Sequence, residues 1–280
     1  MAVEDLTYQN GEGTFSLTHR QALSHHMATS HFHPTYEIYY LLSGKREFFI
    51  RDRTLVIQEG DVMIVSPNVL HRTTNAAEPQ HERLILNIHR DLMLPSQEGG
   101  KEVLAPLLGA DYRIVRCSLQ ERLYTDELAR RIIGEVQRKE PGFEMFALTL
   151  AQQLLLFSCR RMAEKGEEQP EYPSPMHERI SAVVRHINEH YMEELSLQLL
   201  AERFFISPYY LSRFFKEVTG FAFVEYVNSV RVKEAMKLLE ETGMKASLIA
   251  RKVGFGSVTH FGRVFRQVTG HPPLFYRKQL

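Results

Sequence analysis

Residues 31 to 37 read His-Phe-His-Pro-Thr-Tyr-Glu, a grouping of imidazoles and carboxylate able to do chemistry. Along an extended chain, successive side chains alternate between faces. His31, His33, Glu37, Tyr39 and Leu41 therefore point the same way if residues 31 to 41 are a strand. With His71 from a neighbouring strand, that face presents three histidines and one carboxylate. Nitrogen and oxygen donors at this density suit Zn, Ni, Mn or non-haem Fe. The same groups equally donate and accept hydrogen bonds to a hydroxyl-rich small molecule. His31, His33, Glu37, Tyr39 and His71 are thus candidate small-molecule contacts, and His31, His33, Glu37 and His71 are candidate metal ligands. The nearby His19, His25 and His26 read as surface residues.

Residues 36 to 90 are expected to form the scaffold for this face. "YEIYYLLSG", "REFFI", "TLVIQEG", "DVMIVSP" and "ERLILNIH" are short β-rich runs separated by Gly-Lys, Arg-Asp-Arg and Glu-Gly-Asp turns. Strands spaced this closely predict a sandwich or small barrel. From Leu119 the period lengthens. Leu123, Leu128, Ile132, Ile133 and Val136 fit one helical face that stops before Pro141-Gly142. A second helix carries Phe146, Leu150, Leu154 and Phe157 and ends near Gly166, so the two should pack antiparallel. "GEEQPEYPSP", residues 166 to 175, reads as a linker.

With 280 residues, 44% of them hydrophobic, the chain can bury the cores of two domains. No apolar run approaches the roughly 20 residues of a membrane span. The N-terminus is acidic and polar, unlike a targeting segment. Cys117 and Cys159 form no disulfide framework, which suits a reducing cytoplasm. The formal net charge of zero hides an asymmetry: residues 176 to 280 hold 15 Lys and Arg against 10 Asp and Glu, leaving 19 against 24 for residues 1 to 175. A basic C-terminal part predicts polyanion contact there.

That part contains an internal repeat. "FISPYYLSRFFKEVTG" (205 to 220) recurs as "FGSVTHFGRVFRQVTG" (255 to 270), aligning Phe205 with Phe255 and Arg213 with Arg263. The segments upstream align only if the second turn is one residue longer. Each copy reads as a short helix, a turn and a longer helix. Ser207 and Ser257 suit N-caps, Pro208 the first helical position, and Gly220 and Gly270 the C′ position. Leu211, Phe214 and Phe215, or Phe261, Val264 and Phe265, form the inward stripe. This is helix-turn-helix logic, in which one helix braces and the second presents polar and cationic groups to a groove. "FVEYVNSVRVKEAMKLLEETG" (223 to 243) joins the copies and would hold the reading helices about 34 Å apart, one turn of DNA.

On these residues, 177 to 280 resemble the DNA-binding domain of the AraC/XylS family of bacterial transcription regulators. "LSLQLLAERFFISPYYLSRFFKEVTG", "IARKVGFGSVTHFGRVFRQVTG" and the closing "HPPLFYRKQL" carry the likeness. The resemblance implies base reading by Tyr209, Ser212 and Arg213 in one helix and by Thr259, His260 and Arg263 in the other. Lys216 and Arg266 look like phosphate contacts, and Ser207 and Tyr210 complete the candidate DNA-facing set. Gly262 departs from the pattern by offering no side chain. Residues 31 to 44 (His-x-His-x₃-Glu-x₆-Gly) and Gly60, His71 and Asn75 in turn resemble the two motifs of the cupin superfamily. His25 stands where a glycine is expected, and "SPNVLH" replaces the second motif's Pro-x-Gly turn.

The resemblances together imply an α+β multidomain protein. A cupin-like effector-sensing β-barrel is expected over 1 to 116, an antiparallel helical pair for dimerisation over 117 to 165, and a linker over 166 to 176. An all-α domain with two helix-turn-helix motifs is expected over 177 to 280. The implied function is sequence-specific transcription regulation by a small-molecule effector, a sugar or related metabolite, with activation of carbohydrate-utilisation genes. No enzymatic activity and no required cofactor are expected. Expected partners are operator half-sites, a second copy of the chain and, for an activator, RNA polymerase, all in the cytoplasm. Two further classes stay open: a metal-dependent cupin enzyme or metal sensor fused to a DNA-binding domain, and an architectural DNA-binding protein with a vestigial barrel.

Overall fold

A computed structural model describes residues 5–22, 33–75, 80–93, 102–165 and 172–277. The strands are β1 (Leu6–Gln9), β2 (Phe15–Ala22), β3 (Tyr36–Ile50), β4 (Arg53–Gln58), β5 (Val62–Val65), β6 (His71–Asn75), β7 (His81–Ile88) and, after the one-turn helix α1 (Arg90–Met93), β8 (Tyr112–Val115). The helical pair is α2 (Leu119–Arg138) and α3 (Phe143–Lys165). The C-terminal helices are α4 (Pro175–His190), α5 (Leu197–Arg203), α6 (Pro208–Thr219), α7 (Phe223–Glu241), α8 (Ala246–Lys252) and α9 (Val258–Thr269).

The long strand β3 organises the N-terminal part. Its sequence suggests two strands with a Gly-Lys turn, but the chain runs straight through. Its pairing with β7 shifts register between Leu41 and Ser43, a bulge that bends the strand. Gly44 follows at φ +87, and a Cβ there would lie 2.4 Å from the Gln80 carbonyl oxygen of the adjacent strand. Only glycine fits that approach. The first half of β3 pairs with β5 and β7, and the second half with β4 and β6.

The result corrects the expectation of a cupin-like barrel. The strand path is β1-β2-β7-β3-β5-β8, with β4 and β6 branching from β3. Among the described residues no pairing closes that path, so the sheet is open. Two sheets share one bent strand and face each other across a core of Tyr39, Leu41, Phe48, Ile50, Leu55, Ile57, Met63 and Val65. The cupin-like motifs fixed residue spacing along strands, whereas closure depends on which edges pair, and β1 and β8 each have one partner.

The opposite face of the first sheet packs on the helical pair. Ile38, Tyr40, Leu84, Leu86 and Ile88 join Leu128, Ile132, Val136, Leu150 and Leu154 in one core. Helix α2 starts on a capping box, in which the Ser118 side chain accepts from the Glu121 amide while Glu121 reaches back. Tyr40 ties sheet to helix through its hydroxyl, 2.6 Å from Asp126 and 2.9 Å from Thr125. Leu123 and Phe146, assigned inward by periodicity, are instead exposed, together with Leu119, Tyr124 and Met145.

Residues 174 to 176, the end of the linker expected over 166 to 176, already belong to the start of helix α4: Ser174 is its N-cap and Pro175 its first residue. Beyond it the repeat folds as two helix-turn-helix units on separate cores. Ile180, Val184, Leu200, Leu211 and Phe215 build the first; Ile249, Val253, Phe255, Phe261 and Phe265 build the second. Helix α7 serves both, its start in the first core and Val232, Ala235, Met236 and Leu239 in the second. Ser207 and Ser257 cap the reading helices α6 and α9, which end at Gly220 and Gly270 in the left-handed region. Phe214 is only half-buried, unlike its stripe neighbours.

The turns differ from the simple alignment of phenylalanines. Ile206 donates its amide to Ala201, and Phe255 donates its amide to Ala250, each at 2.9 Å. Ile206 is therefore the counterpart of Phe255. Phe205 matches Gly254 instead, both at positive φ, and Gly256 is the extra residue of the second turn.

Candidate effector pocket and DNA-reading face

Strand β3 places Glu37 on the face between the sheets, and the segment before it brings in His33. His71 enters from the start of β6. Glu37 is 2% exposed and His71 fully buried. The Glu37 Oε2 atom lies 3.2 Å from His33 Nε2 and 3.5 Å from His71 Nε2. The two imidazole rings meet edge to face with centroids 5.3 Å apart. His31 lies outside the described residues, as do His25 and His26. Asn75 falls in β6, whose role here comes from His71.

The outer nitrogens of the two rings define what this cluster can do. His33 Nδ1 is 2.9 Å from the Thr35 carbonyl, and His71 Nδ1 is 2.8 Å from the Val69 carbonyl. A carbonyl only accepts, so these contacts favour a proton on each Nδ1, which at His33 also faces the Thr35 hydroxyl 3.0 Å away. Each Nε2 then faces Glu37 either as a second N–H of an imidazolium or as a lone pair toward a shared cation. Carbonyl bonds that fix the tautomer in this way accompany metal-ligating histidines. One ligand atom each from His33, Glu37 and His71 falls within 4.8 Å of the others, so the cluster has the donors and spacing to hold a metal ion. Burial alone would raise the Glu37 carboxyl, but the charges and hydrogen bonds of His71 and His33 outweigh it and hold it well below the usual range. Burial disfavours a charged His71, yet facing Glu37 raises it overall.

Tyr39, fully buried on the same face, stands edge to face with Phe48 at 5.6 Å. Burial raises its phenol, against the pull of Arg83 and Arg46. Arg83 lies over the Tyr39 ring at 5.9 Å. Burial lowers the Arg46 guanidinium, Tyr39 opposes this, and neighbouring Arg83 lowers it further. His81 and Thr73 complete the buried polar surface. Sequence reasoning missed Arg46, Arg83, His81 and Thr73. The signal is in the alternation, since Arg46, Phe48 and Ile50 share one face and His81, Arg83 and Ile85 another.

In the C-terminal part, every candidate DNA-facing residue lies on the surface. Ser207, Tyr209, Tyr210, Ser212, Arg213 and Lys216 are exposed on and just before α6, and Thr259, His260, Arg263 and Arg266 on α9. Tyr209 is 72% exposed. Tyr210 stacks on Phe214 with ring centroids 5.9 Å apart and keeps its outer face open. Arg213 lies over the Phe214 ring at 5.7 Å and has a long contact to Glu217, at 3.9 Å between two exposed side chains, both weak enough to leave it able to reach a groove. On α9, Gly262 leaves open space beside Thr259 and Arg266, its neighbours three before and four after.

A ligand-binding sheet pair followed by two helix-turn-helix units defines a transcription regulator rather than an enzyme. Residues 12–155 match the family model described as an AraC-like ligand binding domain, and residues 200–279 match that described as a helix-turn-helix domain. The first match alone spans just over half the chain. The protein belongs to the AraC/XylS family and is a DNA-binding transcription regulator that responds to a small-molecule effector.

The chain is 27% identical over 226 residues to the arabinose operon regulatory protein of Salmonella typhimurium strain LT2, covering 79% of this chain and 76% of that one. It is 25% identical over 243 residues to the HTH-type transcriptional activator RhaS of Enterobacter sp. strain 638, covering 85% and 78%. Regulatory protein PocR of the same Salmonella strain is 34% identical over 108 residues, 39% of this chain but only 36% of PocR. Among solved structures, an apo ToxT from Vibrio cholerae strain SCE256 aligns at 16% identity over 96% of this chain and 99% of that one, with a TM-score of 0.39. No helix of the described residues is long and apolar enough to cross a membrane.

Proposed function

We propose that the protein senses a sugar or related metabolite between its two sheets and activates carbohydrate-utilisation genes in response. The observation that carries this reading is the convergence of half-buried His33 with buried Glu37 and His71, with Tyr39 beside them. Such a set of donors and acceptors, lined by apolar walls, recognises a hydroxyl-rich ligand. The relatives named for arabinose regulation and for activation support both the ligand class and the sign of control. His31 belongs to the proposed contact set by its place in the sequence.

In this reading residues 1 to 116 sense, 117 to 165 couple and dimerise, 166 to 176 link, and 177 to 280 read DNA. Arg213, Tyr209 and Ser212 read bases in one major groove, and Arg263, Thr259 and His260 in the next. Lys216 and Arg266 hold phosphates, and Ser207 and Tyr210 fix the approach of α6. The protein acts as a cytoplasmic homodimer and meets RNA polymerase at the promoter. Ligand shifts the population of arrangements in which two DNA-binding domains engage adjacent half-sites.

A second reading rests on the pinned Nδ1 atoms of His33 and His71, which leave both Nε2 atoms facing one carboxylate. A divalent cation held by His33, Glu37 and His71 would then be the effector or part of its site. A thermal-shift screen of the full chain against a sugar library, with and without added Zn²⁺, separates the two. Stabilisation by a sugar in chelator supports the first reading, and stabilisation by metal alone supports the second. Stabilisation by neither, with unchanged melting of Glu37→Ala under every condition, would remove the pocket from the account.

A further inference from the structure

The second sheet has two working faces. On one, His71 stacks on Phe48, with centroids 5.6 Å apart and 13° between the planes, and lies beside Glu37. On the other, the very next residue, Phe49, meets Phe221 and Tyr226 edge to face at 5.9 and 6.1 Å. Along the approach to β6 the same alternation sets Val69 and His71 inward, while Leu70 joins the core of the first helix-turn-helix unit and Arg72 lies over Phe221 at 5.5 Å. A shift of His71 or Phe48 therefore moves backbone that is packed against the DNA-binding domain.

The polar contacts land in the same place. Thr54 Oγ1 donates to the Val218 carbonyl at the end of reading helix α6, at 3.0 Å. The Tyr226 hydroxyl donates to the Arg51 carbonyl at 3.1 Å, and Arg185 reaches Asp52 at 3.0 Å. All of these involve the first unit: α4, the end of α6, or the start of α7. The second unit rests on its own core, drawn from Tyr191, Met244, Tyr276 and residues of α7, α8 and α9. Among the described residues no member of that core comes from the sheets.

We propose that effector control reaches DNA through the first helix-turn-helix unit alone, by way of the Phe49–Leu70–Thr54 contact with α6 and Tyr226, while the second unit is an ungated anchor. This rests on the pocket reading above. Pocket occupancy alters the pose of α6, while α9 keeps its affinity for its own half of the site: although α7 enters both cores, among the described residues no sheet residue enters the second.

The test uses the full chain and a duplex recovered by its binding from random-sequence DNA, with the half read by each helix assigned through Arg213→Ala and Arg263→Ala. Base substitutions are made in each half and affinities measured for the parent, His71→Ala, and His71→Ala in a Thr54→Val/Tyr226→Phe background. The two background changes remove single hydroxyls and leave the apolar packing in place. His71→Ala should change the cost of substitutions in the α6 half by between about two- and thirtyfold, and leave the α9 half within error. In the Thr54→Val/Tyr226→Phe background its effect should shrink at least severalfold. Equal effects on both halves, an effect undiminished by the background, or no effect on either half overturns the proposal. Failure to recover any preferred duplex would instead overturn the DNA-reading assignment itself.

Discussion

At the scale of single residues, the two copies of the repeat make the same turn by different means. Gly254 takes its positive φ freely, while Phe205 holds φ 53 with its side chain 93% exposed. A left-handed non-glycine residue costs of order 1 kcal/mol, and an exposed ring returns little of it. Phe205→Gly should therefore raise the free energy of unfolding by roughly 1 kcal/mol, read from its urea midpoint; a lower midpoint would mean that the ring makes a stabilising contact. On the reading helices, Arg213→Ala and Arg263→Ala should each weaken binding to the preferred duplex by roughly 1–3 kcal/mol and relax selectivity at their own base pairs. Uniform weakening across all sequences would make them phosphate contacts. The cysteines should also separate chemically. Burial pushes the Cys159 thiol up to about 12, whereas Cys117 is half-buried. At pH 8 a maleimide should label Cys117 and spare Cys159 until urea unfolds the chain.

At the scale of elements, β3 explains both what the sequence discloses and what it conceals. Glu37 and Tyr39 were legible because strand alternation is local and needs no knowledge of pairing, whereas His33 sits before the bend that precedes β3 rather than on the strand expected from residue 31, and His71 arrives from β6. Arg46 was not legible. Before the bulge the inward residues are odd-numbered (Glu37, Tyr39, Leu41), and after it they are even-numbered (Arg46, Phe48, Ile50), since one shifted residue exchanges the two faces. The same strand decides the open architecture, because its second half leaves the first sheet. Edge pairing is a long-range property, and the motif spacings that suggested a barrel do not contain it. The repeat behaved differently. Caps, glycines and the apolar stripe are all local signals, so the helix-turn-helix units could be read directly, apart from the one-residue offset at Phe205. Gly44 is where the bend is most exposed to mutation. Gly44→Ala sets a Cβ against the Gln80 carbonyl at positive φ and should cost roughly 2 kcal/mol or more, measured by urea unfolding. An unchanged midpoint would show that β3 and β7 separate there without penalty.

At the scale of the whole molecule, a polar cluster between the sheets and an exposed basic reader meet across the second sheet, while the helical pair packs on the first. Leu119, Leu123, Tyr124, Met145 and Phe146 remain open to solvent on that pair. Leu119, Leu123 and Tyr124 lie at one end of the pair, where Tyr124 meets Phe157, and Met145 and Phe146 at the other, so exposed apolar side chains at both ends suit the proposed contact with a second copy. Leu123→Glu with Met145→Glu should shift the sedimentation coefficient to that of a monomer of 32.5 kDa without altering the circular dichroism spectrum. A variant that sediments like its parent would move the dimer contact elsewhere. The pocket and reader make a regulator only if they are coupled, and that is the central claim. It is tested most directly by footprinting the full chain and Glu37→Ala on the preferred duplex, with and without the compound that most raises the parent's melting temperature. The account predicts that the compound changes the footprint of the parent, and that Glu37→Ala still binds the duplex selectively but no longer responds. A Glu37→Ala protein that responds like its parent, or loses selective binding while remaining folded, would contradict it.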